Sequence, residues 1–322
     1  MFASSADFEC VETAEDENGL VEAILRSKAR YVVIGSVRYG GRLYQALPRG
    51  GVVARFGVGH DTVDKATATR AGLLATNTPD VLQQSVAELT VLLMMAAARH
   101  FHPVASAMTQ GHWAPRQGTE LEGKTLAIVG CGAIGQAVAR IAAAGLGMRV
   151  LGYARRPGAV ADRDRYFESV TDDFAAVVGH ADVVSVHIPG GPDNARFIGR
   201  ERLELMPERA WLINTARGAV VDEAALFDAL AAGRLAGAAL DVFEREPYQP
   251  VDPAHDLRTL AQVILLPHVG SHTAEANARM AARALRNIQL AEAGDLDSMD
   301  LLNREVLQGM SRGSEHGGRE DM

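Results

Sequence analysis

The sequence predicts an α/β protein built as two doubly wound parallel-sheet domains. Three observations carry that expectation. Short runs of Val, Ile, Leu and Ala recur with helix-like segments between them, the spacing of strand–helix–strand units. Hydrophobic residues make up 48% of the chain and aromatic ones only 5%, with 32 glycines, which suits buried parallel strands better than an aromatic-packed β-sandwich. The 322 residues suffice for about two domains, each able to bury a core.

The same composition excludes several classes. Two cysteines, Cys10 and Cys131, make neither a disulfide framework nor a Cys-rich zinc site and fit a reducing compartment, so a cytoplasmic protein is expected. The longest apolar run, residues 89–98, is far short of the ~20 residues of a membrane span. Asp7 and Glu9 stand where a secretory signal carries basic residues. A net charge of −8, with 32 Lys and Arg facing 40 Asp and Glu, argues against nucleic acid as a partner.

Taken in order, residues 1–7 are small and polar, 8–11 are expected as a short strand and 18–27 as a helix. YVVIG (31–35), GVVARF (51–56) and GLLAT (72–76) read as buried strands of a first α/β module. The run SVAELTVLLMMAAAR (85–99) lacks Gly and Pro, is too long for a strand, and reads as a buried helix ending before Pro103. After a loop around Trp113, KTLAIVG (124–130) is near-continuously apolar, as a central parallel strand requires, and opens a second module. Further strands are expected at 149–153, 181–187, 211–214, 237–242 and 263–266. The helical pattern 274–293 is long enough to leave the second module and pack on the first. The polar tail from Gln308 is expected to be disordered.

Gly130-Cys-Gly-Ala-Ile-Gly135 matches G-x-G-x-x-G directly after a strand and at the start of a helix. Gly130 suits the tight turn, Gly132 admits a pyrophosphate close to the backbone, and Gly135 lets helix pack on strand, with the helix N-terminus facing the phosphates. The larger domain is therefore expected to be a Rossmann dinucleotide-binding domain. About 20 residues on, where an acid would accept the ribose 2′-hydroxyl of NAD, the chain reads Tyr153-Ala154-Arg155-Arg156. Two guanidiniums and no carboxylate suit a 2′-phosphate, so NADP is favoured over NAD.

A second group of motifs stands at strand ends: NTARG (214–218), DVFEREP (241–247) and PHVG (267–270). In a doubly wound sheet those ends line the ligand crevice, so Arg217, Glu246 and His268 are expected to converge despite their separation in sequence. With VGCGAIG, SVHIPGGPDNARFIG, INTARGAVVDEAAL, AALDVFEREP and LLPHVG in order, the chain resembles the D-isomer-specific 2-hydroxyacid dehydrogenases over about residues 31–293. That resemblance implies a catalytic group of Arg217, Glu246 and His268. It implies substrate contacts from the amides of Val58 and Gly59 in RFGVGHD, with Arg38 a further candidate and Arg217 binding substrate too. It also implies cofactor contacts from Gly130, Gly132, Ala133, Ile134, Gly135, Ala154, Arg155, Arg156, His187, Pro189, Asn194, Thr215, Ala216, Arg217, Asp241, His268 and Gly270. The N-terminal lobe looks about one βα unit shorter than in relatives.

The chemistry follows from the side chains. Arg217 offers a fixed fork to anchor a carboxylate and polarise a carbonyl. His268 is a proton donor near neutral pH, with Glu246 to orient the ring and stabilise imidazolium. The expectation is an NAD(P)-dependent oxidoreductase interconverting a small 2-keto acid and a D-2-hydroxy acid, with 2-keto acid reduction by NADPH favoured. The alternatives are a cofactor-sensing, corepressor-like binding protein on the same fold and a phosphite dehydrogenase. The expected domains are a discontinuous substrate-binding domain, 1–98 with 275–322, and a nucleotide-binding domain, 99–274, closing over the ligand. By resemblance the Trp113 loop pairs subunits, so a homodimer is expected. No metal is expected, because the His100/His102 and His268/His272 pairs lack a matching carboxylate or cysteine set.

Overall fold

The computed structural model describes residues 8–14, 16–161 and 163–309. The expectation for residues 1–7, and that for the tail beyond 309, lie outside the described residues. The chain gathers into two compact units, residues 1–82 with 273–322 and residues 83–272.

The first unit begins with α1 (Glu17–Ser27), followed by β1 (Tyr31–Ile34), α2 (Gly41–Ala46), β2 (Val52–Arg55), α3 (Lys65–Ala71) and β3 (Leu74–Thr76). Asp16 starts α1 by accepting the Gly19 N–H, and Asp64 starts α3 by accepting that of Thr67. The three strands are parallel in the order β1-β2-β3, in register from Tyr31 opposite Val52 and Val52 opposite Leu74. Alternation sorts their side chains onto two faces. Val32, Ile34, Val53 and Ala75 pack with Leu20, Ile24, Leu43, Tyr44 and Ala68 of the helices. The expected strand at 8–11 is absent: Glu9, Cys10 and Val11 are exposed, and only Phe8 is partly covered, edge-on to Tyr31. One covered side chain does not offset the entropy of ordering a strand.

The second unit runs α4 (Gln83–Ala98), α5 (Phe101–Thr109), β4 (Thr125–Val129), α6 (Ala133–Leu146), β5 (Arg149–Tyr153), α7 (Arg163–Tyr166), β6 (Ser169–Thr171), α8 (Phe174–Val178), β7 (Val183–Val186), α9 (Arg200–Leu203), β8 (Trp211–Asn214), α10 (Glu223–Ala231), β9 (Gly237–Leu240) and β10 (Val263–Leu265). Its seven strands are all parallel, in the order β10-β9-β8-β7-β4-β5-β6. The order reverses between β4 and β7, and ligands of such sheets bind at the strand ends beside that point. The central strands β4 and β7 are buried at every position. Ala127, Val129, Val184 and Val186 face Phe174, Val177, Leu226 and Leu230 on one side, while Leu126, Ile128 and Ile213 face Val138, Ala139 and Ala142 of α6 on the other.

Helix α4 groups with this second unit and not with the first, so the unit boundary falls at 82/83 where the sequence reading placed it at 98/99. The cause is packing: Ala87, Leu93 and Met94 share a core with Leu126, Ile128 and Val138, and the Thr90 hydroxyl hydrogen-bonds that of Thr215 at 2.8 Å. The last helix, α11 (Ala274–Ala293), belongs to the first unit, where Ala284 and Ile288 cover Val52, Ala54 and Leu74 on the second face of the small sheet. Among the described residues no helix is long and apolar enough to cross a membrane.

Candidate active site

Two sets of loops at the carboxyl ends of the large sheet carry the site's chemistry. The first follows β4. Gly130 has φ +105°, and a Cβ there would meet the His187 carbonyl carbon at 2.6 Å. A Cβ on Gly135 would meet the Gly130 carbonyl oxygen at 2.2 Å. At Gly132 the same atom would meet nothing within 4 Å, so the middle glycine faces open space. Gly132 is also the N-cap of α6, no side chain caps that helix, and its first turn holds no acid. The result is an unblocked positive helix end beside an open backbone, the arrangement that binds phosphate.

A cleft of about 360 Å³ adjoins this turn. Gly130, Gly132, Ala154, Arg155 and Arg156 line it, with Tyr153, Ile188 and Phe197 as apolar wall and Pro189 and Asn194 at the far side. Arg155 and Arg156 are exposed and make no ion pair among the described residues. Asn194 is buried and donates to the Pro189 carbonyl at 2.9 Å, which holds the loop after β7. At the end of β7, the His187 ring shares a 2.8 Å hydrogen bond with the Ser185 hydroxyl, and burial pushes the imidazole down to about 4. Its Nδ1 is buried with no hydrogen-bond partner among the described residues.

The second set follows β8, β9 and β10. After β8, the buried Asn214 side chain donates to the Arg217 carbonyl at 3.0 Å and accepts the Ala216 N–H at 3.0 Å, fixing the turn that presents Arg217. A Cβ on Gly218 would fall 1.8 Å from the Phe243 carbonyl carbon, so the turn after β8 lies directly against the turn after β9. On that second turn the Phe243 N–H donates to Glu246 Oε1 at 3.0 Å, while Glu246 Oε2 is 2.7 Å from His268 Nδ1. Burial alone would push the Glu246 carboxyl up. The His268 hydrogen bond, the Phe243 N–H and the charges of His268 and Arg217 outweigh it and hold the group below its ordinary range.

His268 sits in the left-handed region at φ +54°, a conformation that persists only where surroundings impose it. Asp241 imposes it. This carboxylate is 1% exposed, and its two oxygens accept the N–H groups of Val269 and Gly270 at 2.8 and 2.7 Å, one on each. Burial raises the Asp241 carboxyl above its usual value, against the pull of those two N–H groups. An anchored cation, a carboxylate–imidazole pair and a pinned turn together equip these strand ends to bind an anion and move one proton.

The structure thus brings Arg217, Asp241, Glu246, His268 and Gly270 together at one set of strand ends, and Gly130, Gly132, Ala133, Ile134, Gly135, Ala154, Arg155 and Arg156 at another. Thr215 and Ala216 lie in the turn before Arg217, the first facing Thr90 and the second bonded to Asn214. Val58, Gly59 and Arg38 belong to the first unit, after β2 and β1. There the Asn77 side chain holds the Val58 carbonyl at 2.7 Å, and Arg38 donates to the Asp61 carbonyl at 3.0 Å. Sequence reasoning missed the roles of Asn214 and Gly218, and the aromatic wall of Tyr153 and Phe197. A polar residue closing an apolar strand, as Asn214 does in WLIN, was the available signal. Cys131 is buried filler, its thiol pushed up to about 12 by desolvation. Among the described residues no three His, Cys, Asp or Glu side chains stand close enough to hold a metal.

Comparison with known proteins finds relatives over most of the chain. The model of the NAD binding domain of D-isomer specific 2-hydroxyacid dehydrogenases matches residues 91–270. A glyoxylate reductase of Thermococcus litoralis is 36% identical over 310 residues, covering 92% of this chain and 91% of that protein. The crystal structure of an NADPH-dependent glyoxylate/hydroxypyruvate reductase of Sinorhizobium meliloti, in complex with NADP and malonate, aligns with TM-score 0.71 and 32% identity over 81% of this chain and 80% of that one. A D-lactate dehydrogenase of Aquifex aeolicus, complexed with NAD and lactic acid, aligns with TM-score 0.77 and 26% identity over 88% and 89% of the two chains.

Proposed function

The chain belongs to the D-isomer-specific 2-hydroxyacid dehydrogenase family, NAD(P)-linked enzymes acting on a CH–OH group, and from that premise we propose that it reduces a small 2-keto acid of the glyoxylate or hydroxypyruvate size, with NADPH the favoured donor. The observation that carries this reading is the 2.7 Å contact of His268 Nδ1 with Glu246 Oε2 within the field of Arg217.

The residues present fit a dinucleotide. Gly132 leaves room beside an uncapped helix end, so the N–H groups at 130–135 would hold the pyrophosphate, with Arg155 and Arg156 on a 2′-phosphate. His187, Pro189, Asn194, Thr215, Ala216, Asp241 and Gly270 would border the rest of it. When bound, the nicotinamide supplies a hydride from its C4. The side chains of this chain do the remainder. Arg217 pairs with the substrate carboxylate and polarises the keto group. Glu246 accepts from Nδ1 and so fixes the ring with its other nitrogen, Nε2, as the donor. Nε2–H then gives its proton to the oxygen that becomes the hydroxyl, and the imidazole is reprotonated from solvent.

One more expectation stands as a proposal, the homodimer. Leu92, Met95, Phe101, Met108 and Trp113, the last 86% exposed, give the α4–α5 region an apolar surface that we assign to a second copy of the chain. Light scattering on Trp113→Glu then shows a monomer where the parent is a dimer. The reading itself is tested by NADPH and NADH oxidation against glyoxylate, hydroxypyruvate, pyruvate and larger 2-keto acids. His268→Ala is expected to lower kcat by ~10²–10⁴-fold, the usual worth of a positioned acid. Alanine at both Arg155 and Arg156 is expected to weaken NADPH by about tenfold or more and leave NADH unchanged. Tight nucleotide binding without turnover of any acid would favour a cofactor sensor instead.

A further inference from the structure

Glu223 opens α10 and has no part in the proposed reaction, yet it is only 3% exposed. Its Oε1 accepts the backbone N–H of Glu244, and Glu244 Oε1 accepts the backbone N–H of Glu223 at 3.1 Å. Two carboxylates 21 residues apart in sequence therefore each hold the other's main chain. The second oxygen of Glu244 is occupied by Arg196 at 3.3 Å, while Oε2 of Glu223 is buried without a partner among the described residues. Immediately before Glu244, the Phe243 N–H holds Glu246 Oε1, and immediately beneath lies Gly218, with no room for a methyl group. The turn that carries Glu246 is thus clamped on one side by a carboxyl and on the other by packed backbone.

We propose that Glu223 is a positioning residue for the acid–base pair: its buried carboxyl fixes the turn from Phe243 to Glu246 and so keeps Glu246 aimed at His268. This rests on the reading that Glu246 and His268 move the proton. The groups around Glu223 are Glu244, Arg245, Glu246 and Tyr248 from the loop after β9, and Asp222 from its own helix start. Arg196 pairs with both Glu244 and Asp222. Burial, then the charges of Glu244 and Glu246, push the Glu223 carboxyl up to about 7, against the Glu244 N–H and Arg245. The clamp therefore changes charge within the working range of such an enzyme. An anionic Glu223 grips the Glu244 N–H more strongly than a neutral one.

The experiment compares the full-length chain with Glu223→Gln and Glu223→Ala. It measures kcat and KM for 2-keto acid reduction from pH 5.5 to 9, nucleotide Kd, and hydrogen exchange of the Glu244 amide. Alanine is expected to lower kcat by up to ~10²-fold, with KM and nucleotide Kd within about threefold, because misaimed catalytic groups lose turnover before binding. It is also expected to speed Glu244 exchange. Glutamine keeps the acceptor oxygen, so it restores kcat at pH 7 to within about threefold and restores exchange protection, while the Glu223 ionisation drops out of its profile and the dependence on the His268–Glu246 pair remains. An unchanged kcat in the alanine variant would overturn the proposal. So would a loss shared equally with nucleotide binding and thermal stability, or a glutamine variant as impaired as alanine. If the parent chain turns over no 2-keto acid, the functional reading fails, and Glu244 exchange still decides whether the clamp exists.

Discussion

Two helices of the large sheet begin in opposite ways. Helix α6 starts at Gly132 with no side-chain cap, no acid in its first turn and open space where a Cβ would stand. Helix α10 starts at Asp222, whose carboxylate accepts the Ala225 N–H at 3.0 Å, followed at once by the buried Glu223. Both ends present unsatisfied N–H groups and a positive dipole. The first is left free; the second is filled by the carboxyls of Asp222 and Glu244, while Glu223 from the same helix start reaches back to the Glu244 N–H in the turn of Glu246. On the proposed reading, one physical feature, the helix N-terminus, would serve the cofactor at one strand end and the chemistry at another.

The strongest way to break that contrast is to make the first helix start like the second. Gly132→Asp puts a carboxylate at the α6 N-cap, in an extended conformation that any residue adopts. Nucleotide Kd is expected to rise by ~10²-fold or more, about 3 kcal/mol, because the new anion occupies the phosphate's place. The melting temperature should hold, since the added atoms meet nothing and an Asp cap is worth only a few tenths of a kcal/mol over Gly, ~0.5. Calorimetric titration showing unchanged affinity would mean the pyrophosphate lies elsewhere.

A second comparison sharpens the role of the acid in α10. The Glu223 carboxyl, raised to about 7 in the folded chain, favours the folded state while protonated. Its contribution is complete below its ordinary value near 4.5 and is lost as pH rises through about 7. Glu223→Gln removes that dependence, so urea midpoints should show the variant gaining on the parent between pH 5 and 8 by about 2 kcal/mol. A difference that does not vary with pH would place the charge of Glu223 in the anionic form throughout.

How far these features were legible in the sequence follows from how local each one is. The strands of the large sheet announce themselves because a parallel strand buried on both faces must be a continuous apolar run, as TLAIV and VVSV are. Strand β6, Ser169–Thr171, escapes because it is three residues long, with one apolar side chain among two hydroxyls. The glycine turn is legible because all its conditions fall within six residues. Arg217, Glu246 and His268 lie on three different strand ends, so their convergence follows from the rule that such ends line one crevice, and the ordered motifs of a resemblance add the roles. Glu223 was hidden because an acid in a helix's first turn is ordinarily a solvated dipole partner, and nothing nearby in sequence says that this one is buried against residue 244. The grouping of helix α4 with the large sheet is hidden for the same reason: its apolar faces are visible in sequence, but not the core of Leu126, Ile128 and Val138 that they fill.

The smallest expected effect separates the two acids that begin α10. Asp222 satisfies one N–H of its own helix and stands 3.9 Å from Arg196; its side chain does not bond to the turn of Glu246. Asp222→Ala should therefore cost about 1 kcal/mol of stability, the usual worth of a cap, and Asp222→Asn should restore it, because the amide oxygen caps as well as a carboxylate. Turnover per folded molecule should stay at the parent level in both variants. If kcat fell in Asp222→Ala as far as in Glu223→Ala, the helix start as a whole, and not the single carboxyl reaching Glu244, would be what orients Glu246.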